Sequence, residues 1–307
     1  MTGVGARRAA GPSQRFPVVL PQGVKILAPA KVNLFLRVLG KREDGYHFID
    51  SLMVPVSLYD EIEIRKGAAK KGRGRLTVTC HHPDVPNGEK NLVYQAASLL
   101  LEKKGISASI TVRIRKNIPV GGGLGGGSSD AAATLVGLNR LLRLRYDRRE
   151  LASLAAKLGA DVPFFISGAP ARARGIGERL RPVRSLPRLW MVLVYPRFPV
   201  STGWVYRNLS AKLTKHSEDS RIKFSLKGPA KLARLLVNDL EEATLRRYPR
   251  IALLKGKLIQ EGAAGALMSG SGSSVFGIFI TESEAKEAFR RLRKWKGVDV
   301  YLIHSLN

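Results

Sequence analysis

The stretch 121-GGGLGGGSSDAAA-133 holds six glycines in seven residues and then runs into alanine. That much bare backbone does not persist inside a strand or helix, where glycine loses the most entropy and packs nothing. It reads as a loop, and the alanines after it are strong helix formers. Before it, 108-ASITVRIRKNI-118 alternates as a strand and Pro119 stops it. In such a strand–loop–helix unit, backbone N–H groups can converge on a phosphate with a helix N-terminus behind them. A mobile turn without chemistry fits the same residues. Ser128 and Ser129 add hydroxyls for phosphate oxygens or for the water shell of a metal ion. No lysine follows the last glycine, so this is not GxxxxGK[ST], and no acidic residue ends a strand about twenty positions on, as a dinucleotide site requires.

Composition narrows the partners. Lys and Arg number 52 against 24 Asp and Glu, a formal charge of +28 in 307 residues. That attracts polyanions. The charges are spread, as in 65-RKGAAKKGRGR-75, 140-RLLRLRYDRR-149 and 290-RRLRKWK-296, with no zinc-finger spacing or basic-region heptad beside them. A specific nucleic-acid partner is therefore not expected. The single cysteine, Cys80, allows no internal disulfide and no CxxC metal site, and points to a reducing, cytoplasmic compartment. No window approaches the roughly 20 apolar residues that cross a bilayer, and residues 1–16 lack the apolar core of a secretory signal.

Along the chain, 32–40, 51–66 and 76–80 read as strands, with Asp44-Gly45 a turn between the first two. Apolar spacing predicts a helix over about 92–104. Ser129 or Asp130 is placed to cap a helix reaching about residue 142, and Asp147 with Glu150 forms a capping-box pattern for one over about 147–158. The runs 164-FFIS-167 and 189-LWMVLVYP-196 read as strands. Residues 197–230 are irregular, with a polar centre suited to a lid. Helical periodicity returns at about 230–248 and 250–260. A second glycine-serine loop, 269-SGSGSS-274, feeds a short apolar strand, and a helix at 282–295 and a strand at 298–304 close the chain. The order is α+β, in two packed units.

Two charged positions stand in apolar surroundings. Lys31 and Asn33 share a strand face with Phe35 by simple alternation. Lys31 is either functional or an edge-strand lysine. Asp161, in 159-GADVPFF-165, is either a tuned carboxylate or a turn or cap aspartate. The five histidines are scattered and no GxSxG occurs, so neither a zinc site nor a serine triad is supported.

Together, 28-APAKVNLFL-36, 40-GKREDGYH-47, 118-IPVGGGLGGGSSDAAA-133, 158-LGADVPFF-165 and 268-MSGSGSSVF-276 resemble the GHMP kinase superfamily, named for galactokinase, homoserine kinase, mevalonate kinase and phosphomevalonate kinase. The resemblance spans about residues 25–304. It implies a two-domain α+β fold with a cleft between the domains. A ribosomal-protein-S5-like domain covers 24–175 and a C-terminal αβ domain 176–297, the last strand near 298–304 returns to the first, and residues 1–23 form a flexible tail. It implies ATP and Mg2+ as cofactors, a monomer or homodimer, and no membrane partner. DGYH together with LGADVPF implies a cytidylyl sugar alcohol as the small-molecule substrate, phosphorylated on its 2-hydroxyl in non-mevalonate isoprenoid synthesis. By resemblance, Asp161 is the catalytic base and Lys31 its partner, with Asn33 beside them. Tyr46 and His47 correspond to cytosine contacts and Tyr206 to the opposite aromatic face. Gly121, Gly122, Gly123, Gly125, Gly126, Gly127, Ser128 and Ser129 correspond to the loop around the ATP phosphates, Ser129 being the hydroxyl nearest magnesium. Asn91 and Lys116 correspond to nucleotide contacts, and Ser271 and Gly272 to a motif near the substrate phosphates. The alternatives are the same chemistry on another small alcohol, such as homoserine or mevalonate, and a basic nucleic-acid-binding protein.

Overall fold

The computed structural model describes residues 18–20, 23–67, 74–209 and 228–306. Most of the expected tail, the middle of the basic loop at 67–75 and the polar centre of 197–230 lie outside the described residues, but Val18–Leu20 of that tail pair antiparallel with Gly23–Lys25, so the structured chain begins earlier than expected. The elements run β1 (Val18–Leu20), β2 (Gly23–Lys41), β3 (His47–Gly67), β4 (Leu76–Cys80), α1 (Leu92–Lys103), β5 (Ser109–Arg115), α2 (Gly126–Leu141), α3 (Arg148–Ala156), α4 (Val162–Ser167), β6 (Ala171–Gly175) and β7 (Arg179–Pro182). They continue with β8 (Trp190–Tyr195), α5 (Thr202–Arg207), α6 (Pro229–Ala233), β9 (Val237–Asn238), α7 (Glu241–Arg247), α8 (Arg250–Gln260), β10 (Gly265–Met268), β11 (Val275–Phe279), α9 (Glu282–Leu292) and β12 (Asp299–His304).

Two long antiparallel strands, β2 and β3, organise the first sheet. The Asp-Gly pair turns the chain between them. Gly45 takes φ +86°, and the Arg42 N–H donates to Tyr46 O at 2.7 Å. β5 pairs β3 antiparallel and β4 joins β5 in parallel, while β6 pairs the other end of β3. The second sheet has the order β10-β11-β8-β12, antiparallel throughout.

A β-bulge between Pro29 and Ala30 decides where the functional residues point. Before it, Val24, Ile26 and Ala28 pack with α1 and α2. After it, Ala30, Val32 and Leu34 pack against Met191, Leu193 and Phe276 of the second sheet. Lys31 and Asn33 therefore turn to the opposite side, toward α2 and α4. A second bulge between Asn33 and Phe35 takes Phe35 into the inter-sheet core with Leu34. Phe35 does not share the face of Lys31 and Asn33, because simple alternation fails wherever an extra residue is inserted.

Three other expectations are corrected. The run 164–167 is helical within α4, since Pro163 lies at a helix start, where its missing N–H costs nothing, and Gly168 closes the helix at φ +64°. α2 starts at Gly126, with Gly125 as N-cap at φ +69°, so Ser129 and Asp130 are buried inside its first turns and cap nothing. The helical stretch predicted at 230–248 is divided into α6 and α7 by β9, which pairs in parallel with β2. The capping box at Asp147 and Glu150 is present in both halves. β12 pairs with β8 in the second sheet, and only the residues at its end reach the first. There the His304 N–H donates to Ser57 Oγ at 2.8 Å and the Leu306 N–H to Pro55 O at 2.8 Å.

Candidate active site

A cavity of about 1530 Å3 opens on the side of β2 that faces away from the second sheet, bounded by the glycine loop, the turn before α4, and α5. Lys31, Asn33, Tyr46, His47, Asn91, Lys116, Asp161, Tyr206 and Ser271 line it, together with Gly121 to Gly123 and Gly125 to Ser128. Residues widely separated in sequence thus meet on one wall. Ser129 and Gly272 are not part of that wall. The Ser129 hydroxyl is buried without a hydrogen-bond partner, and Gly272 lies behind the glycine loop.

The centre of the wall is a charged cluster. Lys31 Nζ donates to Asn33 Oδ1 at 2.6 Å and stands 3.7 Å from Asp161 Oδ2. Asn33 Nδ2 donates to Ser51 Oγ at 2.8 Å, and Ser51 Oγ donates to Phe35 O at 2.7 Å. This relay fixes the Asn33 amide and, through it, the buried ammonium. Asp161 occupies the N-cap position of α4 without making a capping bond, so its carboxylate is left to face Lys31 and the cavity.

The glycine loop approaches Lys31 closely: a Cβ on Gly125 would meet the Phe165 ring at 2.9 Å and Lys31 Cγ at 3.2 Å. Its other flank packs backbone to backbone on 269–274. A Cβ on Gly123, at φ +76°, would sit 2.0 Å from Ser269 O. Ser269 Oγ donates to Gly123 O at 3.0 Å, and the Ser274 N–H donates to Gly122 O at 3.2 Å. The second loop is held in turn by Asn238, whose Nδ2 donates to Met268 O and Gly270 O at 2.9 and 2.7 Å. The two glycine-rich motifs are thus one packed unit, and only the first exposes its length to the cavity.

Lys116 lies under the start of α2, ion-paired to Asp60 Oδ2 and, at 2.8 Å, to Asp130 Oδ2. Burial would lower the Lys116 ammonium, but Asp130 and Asp60 outweigh it and hold it above its usual range. Burial, then the Asp60 charge, holds the Asp130 carboxyl well above the ordinary carboxylate range. The notable residues that the sequence reading missed are Asp60, Asp130, Asn238 and Gly270. Asp60 was read only as part of a strand and Asp130 as a cap, and their shared pairing with Lys116 appears only in the folded chain. Asn91 is the N-cap of α1: its Oδ1 accepts from the Val93 N–H at 2.8 Å and its Nδ2 donates to Pro86 O at 2.7 Å. Both ends of that amide are committed to shaping the wall.

Further along the cavity the His47 and Tyr206 rings lie 5.1 Å apart, tilted by 33°. Burial lowers the His47 imidazole below its ordinary value, aided by Lys41. Burial raises the Tyr206 phenol, aided by the charge of Asp161. Both rings are therefore neutral near pH 7. Tyr46, 60% exposed, stands at the rim rather than in the ring pair.

The fold has counterparts among known proteins. The GHMP kinases N terminal domain matches residues 91–169, and the GHMP kinases C terminal family matches 223–297. The chain belongs to the GHMP kinases and is an ATP-dependent small-molecule kinase. Within that family it is similar to 4-diphosphocytidyl-2-C-methyl-D-erythritol kinases. The one from Syntrophus aciditrophicus (strain SB) is 46% identical over 284 residues, 92% of this chain and 100% of that protein. The one from Citrifermentans bemidjiense is 47% identical, over 89% of this chain and 96% of its own. A crystal structure of 4-(cytidine 5'-diphospho)-2C-methyl-D-erythritol kinase matches with TM-score 0.77 and 38% identity, covering 92% of this chain and 100% of that one. Homoserine kinase from Cytophaga hutchinsonii, with TM-score 0.72 over 94% of this chain and 96% of its own, shares the fold at 22% identity. Among the described residues no helix is long and apolar enough to cross a membrane.

Proposed function

We propose that the chain transfers the γ-phosphoryl group of ATP to the 2-hydroxyl of 4-diphosphocytidyl-2-C-methyl-D-erythritol, giving the 2-phosphate. The observation that carries this reading is the Lys31–Asp161 pair at 3.7 Å. Gly125 of the glycine loop lies against Lys31, and Tyr206 lines the same cavity as Asp161. A phosphate cradle, a base and an aromatic slot therefore adjoin one another, as a kinase for a nucleotide-linked alcohol requires.

Phosphoryl transfer asks for positioning and charge neutralisation more than for covalent help. The N–H groups of the glycine loop and of the first turn of α2 bind the β and γ phosphate oxygens. Asp161 takes the proton of the acceptor hydroxyl as that oxygen attacks phosphorus. Lys31, steadied by Asn33 and Ser51, stabilises negative charge on the attacking oxygen. His47 and Tyr206 hold the cytosine ring. Ser128 completes the phosphate cradle, and Ser271 and Gly270 border the acceptor phosphates. The residues fit a magnesium ion: the Ser129 hydroxyl and Asp130 Oδ1 are buried oxygens without a hydrogen-bond partner, and magnesium takes oxygen ligands. Those two would hold it, and when bound it neutralises phosphate charge.

A coupled ADP-release assay tests the reading. With ATP and magnesium, the cytidylyl substrate should drive turnover, while the bare sugar alcohol, homoserine and mevalonate should not. ADP release driven by one of those simpler alcohols in preference to the cytidylyl compound would overturn the acceptor assignment.

A further inference from the structure

Asp60 belongs to no motif of the sequence, yet its carboxylate accepts three hydrogen bonds. It is completely buried on β3, opposite Ala28 of β2. Its Oδ1 accepts from the Asn117 N–H at 2.6 Å and from the Ile118 N–H at 2.9 Å, and its Oδ2 accepts from Lys116 Nζ. Three consecutive residues at the entrance to the glycine loop are thus pinned to one carboxylate. Lys116 then reaches across to Asp130, on the second turn of the helix that leaves the loop. The chain of bonds Asp60–Lys116–Asp130 closes residues 116–130 into a ring at its base. A Cβ on Gly126 would come within 3.1 Å of Lys116 Nζ and 3.4 Å of Asp60 Oδ2, so the clasp lies directly beneath the start of α2.

Only a carboxylate serves here. Two backbone N–H groups and an ammonium converge on one side chain, which must accept three times and donate nothing. An amide would set its own N–H2 against one of those donors. A burial of two carboxylates around one lysine is costly unless their geometry is used, and the geometry at hand is that of the loop mouth.

We propose that Asp60 is a positioning residue for the nucleotide: through Lys116 and Asp130 it clasps the two ends of the glycine loop and holds the phosphate cradle formed before ATP arrives. This rests on the reading of the loop as the ATP phosphate site. It separates Asp60 from an ordinary buried ion-pair partner, because a clasp acts on one ligand and on one segment.

The test uses the full chain carrying Asp60→Asn, with Asp130→Ala as a second variant that opens the clasp from the helix side without touching Asp60. Amide hydrogen exchange of the unliganded protein is read first, so that the outcome does not depend on the identity of any substrate. Exchange over 117–128 should quicken at least about tenfold in both variants, with the amides of β8 and β11 unchanged. In steady-state kinetics of Asp60→Asn, KM for ATP should rise about tenfold or more, with KM for the acceptor within about twofold of wild type; Asp130→Ala is read by exchange alone, because Asp130 is also placed to hold magnesium. Loop exchange equal to wild type, or quickened equally throughout the molecule, would overturn the clasp. So would an equal rise in both KM values.

Discussion

Asp161 leaves its own helix uncapped and turns its carboxylate to Lys31, which is a cost to α4 of the order of 1 kcal/mol when a cap bond is forgone. The proposed role as base gives that orientation its use. Asp161→Asn should lower kcat by about 10²–10⁴-fold, the range of a positioned base, with both KM values nearly unchanged, as read by ADP release. Tyr206→Ala should raise the KM of the cytidylyl acceptor about tenfold, because stacking on a base is worth about 1–3 kcal/mol. Tyr206→Phe keeps the ring and should leave that KM close to wild type. His47 makes a pH prediction. Its folded-state value lies below the ordinary 6.5 because of burial and Lys41. Below that pH the unfolded chain therefore binds more protons than the folded one, and stability falls as pH drops through 6.5. An NMR titration of the imidazole should give a midpoint under 6.5, and His47→Gln should lose less Tm between pH 7 and pH 5 than wild type does.

The glycine loop shows how much of an element is legible before its partner is known. Strand, loop and helix were evident from 108–133, since glycine and alanine state their preferences locally. The reason for so many glycines was not evident. Gly123 is constrained both by its φ of +76° and by Ser269 O, 2.0 Å from where a Cβ would stand. Backbone cannot yield there as the tip of a side chain could. Gly123→Ala should therefore destabilise the protein by about 2 kcal/mol or more, combining strain at positive φ with overpacking, and should raise KM for ATP. Thermal melting and ATP titration together check it. A wild-type Tm would mean that the two loops do not pack as described. α4 gives the opposite lesson: a four-residue apolar run such as FFIS has no readable period, and its flanking Pro163 and Gly168 carried the true signal. The β6–β7 hairpin went unread because small Ala171 and Ala173 face inward while Arg172 pairs with buried Asp50, a partner far away in the chain.

Across the whole molecule, the inter-sheet core joins both halves of the chain. Ala30, Val32 and Val56 of the first half pack with Leu193, Phe276 and Ile303 of the second. β9, from the C-terminal half, adds to the first sheet beside Leu36. Neither half can bury its apolar face alone, so the chain should unfold as one unit despite its two family regions. Calorimetry should give a single transition with calorimetric and van't Hoff enthalpies in agreement, and two resolved transitions would contradict a shared core. The charge of +28 takes no part in this core. The acids that matter most, Asp50, Asp60 and Asp130, are buried beside cations, while many of the surplus arginines lie on the surface.

Local chemistry was enough to set out the loop, the turn at Gly45, the capping box at Asp147 and the order of most elements, because these depend on residues within a few positions of one another. The resemblance carried by five short motifs was enough to nominate Lys31 and Asp161. Pairing across the sheets decided the rest. The bulge at Pro29 chose the face of Lys31 and Asn33, β3 brought Asp60 to the mouth of a loop more than fifty positions away, and the second loop gave Gly123 its reason to be glycine. Such contacts join residues whose separation in sequence carries no trace of their distance in space, so burial and partnership of a side chain become readable only when the chain has closed on itself.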